Sequence, residues 1–222
     1  MKPSPPTAER AKIDVASIRE GVGFLRGKSV LQATFWVDLI AMIFGMPNAL
    51  FPAFALHRLH RGPRTLGLLY ASPAAGALLA NLFSGRAKHV RRQGVATMIA
   101  VACWGAAIAG FGFSRVTWLA LAFLAGAGAS DMVSGIFRDA VLKRETPDPM
   151  RGRLEGISLI VVGSGPSLGN LEAGALAAVT SVPFSVVAGG VACLVGVGVL
   201  AAVSPTFRRY RVGEEAKSTG LP

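Results

Sequence analysis

Apolar residues in this chain gather into six continuous blocks, at about 29–56, 65–84, 94–113, 116–137, 154–179 and 182–204, separated by short polar connections. Each block is as long as the roughly 20 residues needed to cross a hydrocarbon core. A helix that is apolar around its whole circumference needs an apolar solvent on every side, and a chain of 222 residues has no room to enclose six of them in water. The pattern predicts an all-α polytopic membrane protein with six transmembrane helices over 29–204, an N-terminal segment 1–28 and a basic tail 205–222. Within the N-terminal segment, DVASIREGVGFLR sets Val15, Ile18, Val22 and Leu25 on one side. That spacing predicts a short amphipathic helix lying along the inner membrane surface.

Backbone breakers subdivide the blocks. The first is too long for one straight crossing, and Phe44-Gly45-Met46-Pro47 interrupts it; the second holds Ser72-Pro73 and the fifth Gly165-Pro166. A proline removes a hydrogen bond to the preceding turn and kinks a helix. Small residues recur at four-residue spacing in Gly76, Ala80 and Ser84, and in the run Ala125 to Ala129. They let helices approach closely where no hydrophobic effect drives their association. A packed, kinked bundle is expected.

Composition narrows the chemistry. The chain is 52% apolar and 16% charged, against about 25% charged in soluble globular proteins, with a mean hydropathy of +0.51. Disorder is excluded. Cys103 and Cys193 both lie inside apolar runs, which argues against a disulfide scaffold. The three histidines and two cysteines lack metal-ligand spacing, and no nucleophile and base occur at catalytic spacing. Neither an enzyme nor a metal or cofactor site is expected. The first twenty residues, with Pro3, Pro5 and Pro6 among polar neighbours, lack the apolar stretch of a secretory leader.

A net charge of +11 raises the question of a nucleic-acid partner, and the placement of the cations answers it. The N-terminal segment, the second and fourth connections and the C-terminal tail hold 19 of the 23 Lys and Arg residues; the other connections hold four, Arg58, Arg61, Arg64 and Arg115. That asymmetry puts both termini in the cytoplasm, with the bilayer as the partner. Cations spread over four short segments form a belt flanking a membrane, not one nucleic-acid-binding face.

Ionisable residues at membrane depth cost about 2.5–3.5 kcal/mol each on insertion scales and mark function by default. Asp38 lies about 14 Å into the first span at 1.5 Å per residue, near the midplane. Asp131 lies in the inner third of the fourth, with Arg138 two turns along the same face as a partner or a snorkelling cation. Glu172, with Asn170 close by, sits toward the outer end of the fifth span. Glu155 is interfacial, flanked by Arg151 and Arg153. For Asp38 and Asp131 two readings stand side by side: carboxylates satisfied by structure, or proton-coupling groups lining a cavity. Divided into two triplets of spans, the chain has Asp38 and Asp131 in the first helix of each, and Pro73 and Pro166 in the second. Matched interruptions of this kind are the trace of a 3+3 inverted repeat.

These residues resemble a known family. FWVDLIAMIFGMPNALFPA (35–53), LLYASPAAGALL (68–79), GRAKHVRRQG (85–94), TPDPMRGRLEG (146–156) and GPSLGNLEAG (165–174) are together similar to the C-terminal half of a major facilitator superfamily transporter, in the enterobactin-exporter-like branch of drug and siderophore efflux proteins. The resemblance implies twelve spans in two six-helix halves, of which this chain supplies the second, with residues 1–14 as the end of the central cytoplasmic connection. It implies that Gly85, Arg86, Arg91 and Arg92 stand where the superfamily repeats its basic gating motif; the usual Asp is missing, with His89 near its place, which leaves an anchoring role at the inner surface. Gly165-Pro166-Ser167-Leu168-Gly169 is similar to the core of the antiporter motif and marks a bending helix, so Gly45, Pro47, Pro73, Gly165, Pro166 and Gly169 are the hinge candidates. Asp38, Asp131, Glu172 and Asn170 are the transport candidates. The implied activity is export of a small organic molecule by proton exchange, with a separate N-terminal half or a second copy as partner. The alternative is a non-transporting membrane subunit or a gene remnant.

Overall fold

The computed structural model describes residues 15–82, 84–85 and 90–210. Among these every regular element is helical: α1 Val15–Arg26, α2 Ser29–Phe44, a tight turn Asn48–Leu50 leading into α3 Phe51–Ala53 and a wider π-helical turn Phe54–Arg58, then α4 Pro63–Leu82, α5 Gln93–Phe113, α6 Thr117–Glu145, α7 Asp148–Val179, α8 Val182–Val203 and α9 Pro205–Arg209. The connections between long helices carry the residues that end them. Pro147 and Pro183 sit at the starts of α7 and α8, where a missing N–H costs nothing, and the Ser181 hydroxyl accepts from the Phe184 N–H at 3.4 Å.

Among the described residues five stretches are long and apolar enough to cross a membrane: Ser29–Arg58, Pro63–Leu82, Gln93–Phe113, Thr117–Glu145 and Val182–Val203. The protein is an all-α polytopic membrane protein. The sixth expected span, α7, has the length, at 32 residues, but is not among the five; Ser158, Ser164, Ser167, Asn170 and Glu172 dilute its apolar character. The fourth span also runs further than its apolar pattern, which fades near 137, because α6 continues to Glu145 and carries Arg138 inside the helix.

Large apolar side chains face outward, including Leu78, Leu79 and Leu82 of α4, Trp118 of α6, Leu171 and Val179 of α7 and Val203 of α8. In water such a surface drives association; in lipid it is solvated. The interior is held by close approach and by an aromatic knot in which the Phe111 ring lies 4.3 Å from Phe54 and 5.5 Å from Phe51. Helix α6 packs on α4 and α5, α5 on α8, and α2 on α7 and α8. Gly76 faces the backbone of Ala125 while Gly128 faces the backbone of Pro73, a reciprocal seam between α4 and α6. Gly105 and Gly190 make the same kind of seam between α5 and α8.

Pro73 and Pro166 lie inside uninterrupted helices; only Pro47, among the three prolines, sits at a true break. Residues 205–210 pack onto the bundle: Phe207 is fully buried, its carbonyl lies against Gly94, and the Tyr210 hydroxyl hydrogen-bonds Glu145 Oε1 at 2.8 Å. At the other end α1 is docked. The Gln32 amide donates to the carbonyls of Leu25 and Arg26 at 2.8 and 2.9 Å, and Glu20 pairs with Arg153 of α7 at 2.6 Å.

The seam yields a test. Gly128→Ala places a methyl against the Pro73 backbone and is expected to lower thermal stability in detergent by about 1–3 kcal/mol of overpacking. Gly126→Ala, with open space around it, is expected to hold or raise the melting temperature through helix propensity.

Candidate functional site

The first span cannot continue through Gly45-Met46-Pro47. Helix α2 stops at Phe44 and the chain restarts in the turn at Asn48. A break at membrane depth exposes backbone groups that lipid cannot satisfy, so the surrounding protein must. Three helices supply the partners. Trp104 Nε1 of α5 donates to the Gly45 carbonyl at 3.1 Å, the Tyr70 hydroxyl of α4 donates to the Asn48 carbonyl at 3.2 Å, and Asn170 Oδ1 of α7 accepts from the Ala49 N–H at 2.8 Å. Gly45 is required by this approach, since a Cβ there would strike the Trp104 indole.

Beside the break lies a cavity of about 340 Å³ between α4, α5 and α6, with Met46, Phe51, Tyr70, Trp104 and Asp131 on its wall. It is an aromatic and apolar hollow with few polar groups, the usual character of a small-molecule site. Asp131 is its carboxylate, and its side chain is 44% exposed. Behind Asp131 stands Arg138. Its Nη1 forms an ion pair and hydrogen bond with Asp38 Oδ1, and its Nη2 lies 3.7 Å from Asp131 Oδ1. The Asp38 and Arg138 side chains are 10% and 14% exposed, so their pair is closed off while Asp131 is open. The two carboxylates singled out from the sequence therefore converge on one guanidinium, joining α2 to α6 across 100 positions of chain. Arg138 was expected near Asp131; its closer partner, Asp38, was not.

The other candidates fall elsewhere. Asn170 is a cap for the broken span, not a neighbour of the carboxylates. Glu172 makes no ion pair among the described residues and does not line the cavity. Gly165 and Gly169, read as marks of bending, are contact points: Gly165 meets the Met42 side chain and Gly169 the backbone of Met42 and Ile43, one turn before the break. In the basic motif Gly85 has open space around it, Arg91 and Arg92 are exposed, and Arg86 lies outside the described residues. Glu155 is exposed and not paired with its flanking arginines, which bind Asp148 at 2.9 Å and Glu20 at 2.6 Å instead. Among the described residues no His, Cys, Asp and Glu cluster suits a metal ion. Tyr70 and Trp104 were missed. The available signal was a polar-tipped aromatic inside an apolar span, a group that finds a hydrogen-bond partner when buried.

The family model of the Major Facilitator Superfamily matches residues 37–221, most of the chain and both carboxylates. The chain belongs to the major facilitator superfamily. Within the superfamily it is similar to curated proteins named enterobactin exporter EntS: 26% identical to that of Citrobacter koseri over 93% of this chain, and 26% identical to those of Escherichia coli and Escherichia fergusonii over the same share. The chain spans about half the length of these relatives, 50% in each case. No solved structure is significantly similar to it. For a superfamily chain the arrangement is chemically simple: a hollow with an accessible acid, a shared guanidinium, and a second acid on the broken span.

Arg138→Leu leaves Asp38 buried without a counter-charge and is expected to destabilise the detergent-solubilised chain by about 3–5 kcal/mol. The double variant Asp38→Asn with Arg138→Gln is expected to recover most of that loss in the same thermal melt. Asn170→Ala, which orphans the Ala49 N–H, is expected to cost about 1–3 kcal/mol.

Proposed function

We propose that this chain is the C-terminal half of a proton-coupled exporter of small organic molecules, siderophores or drugs, in the bacterial inner membrane. In this reading α7 is the sixth crossing, the six spans form a 3+3 inverted repeat, and both termini face the cytoplasm. The observation that carries it is the convergence of Asp131 and Asp38 on Arg138 beside the cavity at the broken span. Two carboxylates sharing one guanidinium leave the trio one negative charge in excess when both are ionised. Asp139, exposed and next to Arg138 in α6, adds to that excess. A proton on Asp131 cancels it, and so does a donor group of a substrate entering the cavity. The two compete for one carboxylate, which is the requirement of antiport. Arg138 then rests on Asp38 alone, so occupancy of the cavity is transmitted to α2. The likeness to enterobactin exporters supports a siderophore-sized organic cargo moved outward.

A second reading has its own observation. Because the chain is half the length of its relatives, a partner half or a second copy completes the pathway in the first reading, and without one the chain is a non-transporting membrane subunit.

The test is export from everted membrane vesicles energised by a pH gradient, with the chain expressed alone and with a superfamily N-terminal half. Asp131→Asn is expected to abolish pH-dependent movement while membrane insertion is retained, and Asp38→Asn to do the same. Unchanged movement in both variants would refute coupling through the trio; no movement by the unaltered chain in either setting supports the subunit. Reporter tags at the two ends are expected to signal from the same, inner compartment.

A further inference from the structure

A second and larger hollow, about 570 Å³, is walled by α4, α5 and α6 and shares no lining residue with the cavity at the break. Its wall is apolar, with Ala80, Ile99, Cys103, Val133 and Ile136 along it, and it reaches Val90 at the connection that precedes α5. Ile99 and Cys103 are exposed, so the hollow is a trough open to the surroundings. The Ser130 hydroxyl on its wall is turned back onto the Gly126 carbonyl at 2.9 Å. From Ala96 to Cys103 on α5 and from Ala129 to Phe137 on α6 the wall runs about 10–12 Å at 1.5 Å per residue, most of one leaflet of a hydrocarbon core about 30 Å thick.

At the mouth the chemistry changes sign. Arg91 and Arg92 follow Val90 directly, are exposed, and make no ion pair or side-chain hydrogen bond among the described residues. The sequence from Ser84 to Gln93 contains Arg86, Lys88, Arg91 and Arg92 and no acidic residue. An apolar trough reaching through most of one leaflet and ending beside two exposed guanidinium groups is complementary to one kind of molecule. We infer that it holds an anionic phospholipid of the surrounding bilayer, an acyl chain lying along α5 and α6 and the headgroup phosphate between Arg91 and Arg92. A guanidinium fork suits a phosphate, and basic pockets at the ends of membrane helices retain anionic headgroups. The site is independent of the transport reading, because none of its residues belongs to the carboxylate trio or the broken span.

The cysteines supply a probe. Cys103 lines the trough and is exposed, whereas Cys193 is buried, so an apolar maleimide reports whether the trough is filled. The full chain is reconstituted in vesicles of phosphatidylethanolamine alone and of phosphatidylethanolamine with phosphatidylglycerol. Phosphatidylglycerol is expected to slow labelling at Cys103 by about fivefold for each arginine engaged, from roughly 1 kcal/mol per basic residue at an anionic surface. Arg91→Gln with Arg92→Gln is expected to remove the difference, Arg91→Lys with Arg92→Lys to keep part of it, and Arg208→Gln with Arg209→Gln to leave it intact. Native mass spectrometry of the unaltered chain is expected to show retained phosphatidylglycerol, lost in the Gln double variant. Equal labelling in the two vesicle types, or slowing that persists in the Gln double variant, overturns the site.

Discussion

Hydrocarbon offers no hydrogen bonds, so a helix broken inside it must find replacements within the protein. The gap at Gly45-Met46-Pro47 is tolerated because an indole, a phenol and a carboxamide from three different helices meet its carbonyls and N–H. Most of the architecture follows from meeting that demand. Helices α4, α5 and α7 must each present one polar-tipped side chain to the same short stretch of backbone, and this brings them around the first span and leaves the cavity beside it. Gly45 has no side chain because the indole needs that space, and Gly165 and Gly169 let α7 come near enough for Asn170 to reach Ala49.

Charge obeys the same rule. A lone carboxylate at this depth is costly, and the structure spreads one guanidinium over two. The closed contact with Asp38 and the longer one to Asp131 differ in exposure as well as in distance. The open carboxylate faces the hollow and the closed one sits on the broken helix, an arrangement in which a change at the accessible group is felt by the inaccessible one through their common partner.

Much of the fold was legible because apolar length is a strong signal: the first span, the α1 segment and the helices at 63–82, 93–113 and 182–203 lie where the pattern put them. The fifth block was read as apolar from its Ile-Val core, yet its serines, Asn170 and Glu172 leave α7 less apolar than the rest. Asn170 has work in a contact that one-dimensional hydropathy does not register. Asp38 and Asp131 stood out by cost of burial, but their common partner was visible only in part. Helical spacing links Arg138 to Asp131, whereas the distance between α2 and α6 is a property of packing. Asn170 was singled out for its depth and proximity to Glu172, and its true neighbour is a backbone amide 121 positions away. Prolines depend on packing as well. Local chemistry cannot say whether neighbours hold a helix together across a proline, as around Pro73, or let it part, as at Pro47.

The reciprocal glycines of α4 and α6 carry a mechanical consequence. Helix α4 is supported mainly by α6, while α2 is lodged with α7 and α8. Since α6 also bears Asp131 and Arg138, a tilt of that helix would carry α4 along like a plank bolted to a beam. The Tyr70 tether to Asn48 would be the first to lengthen, so a rocking displacement would loosen the floor of the hollow at the same time as it shifted the charges behind it.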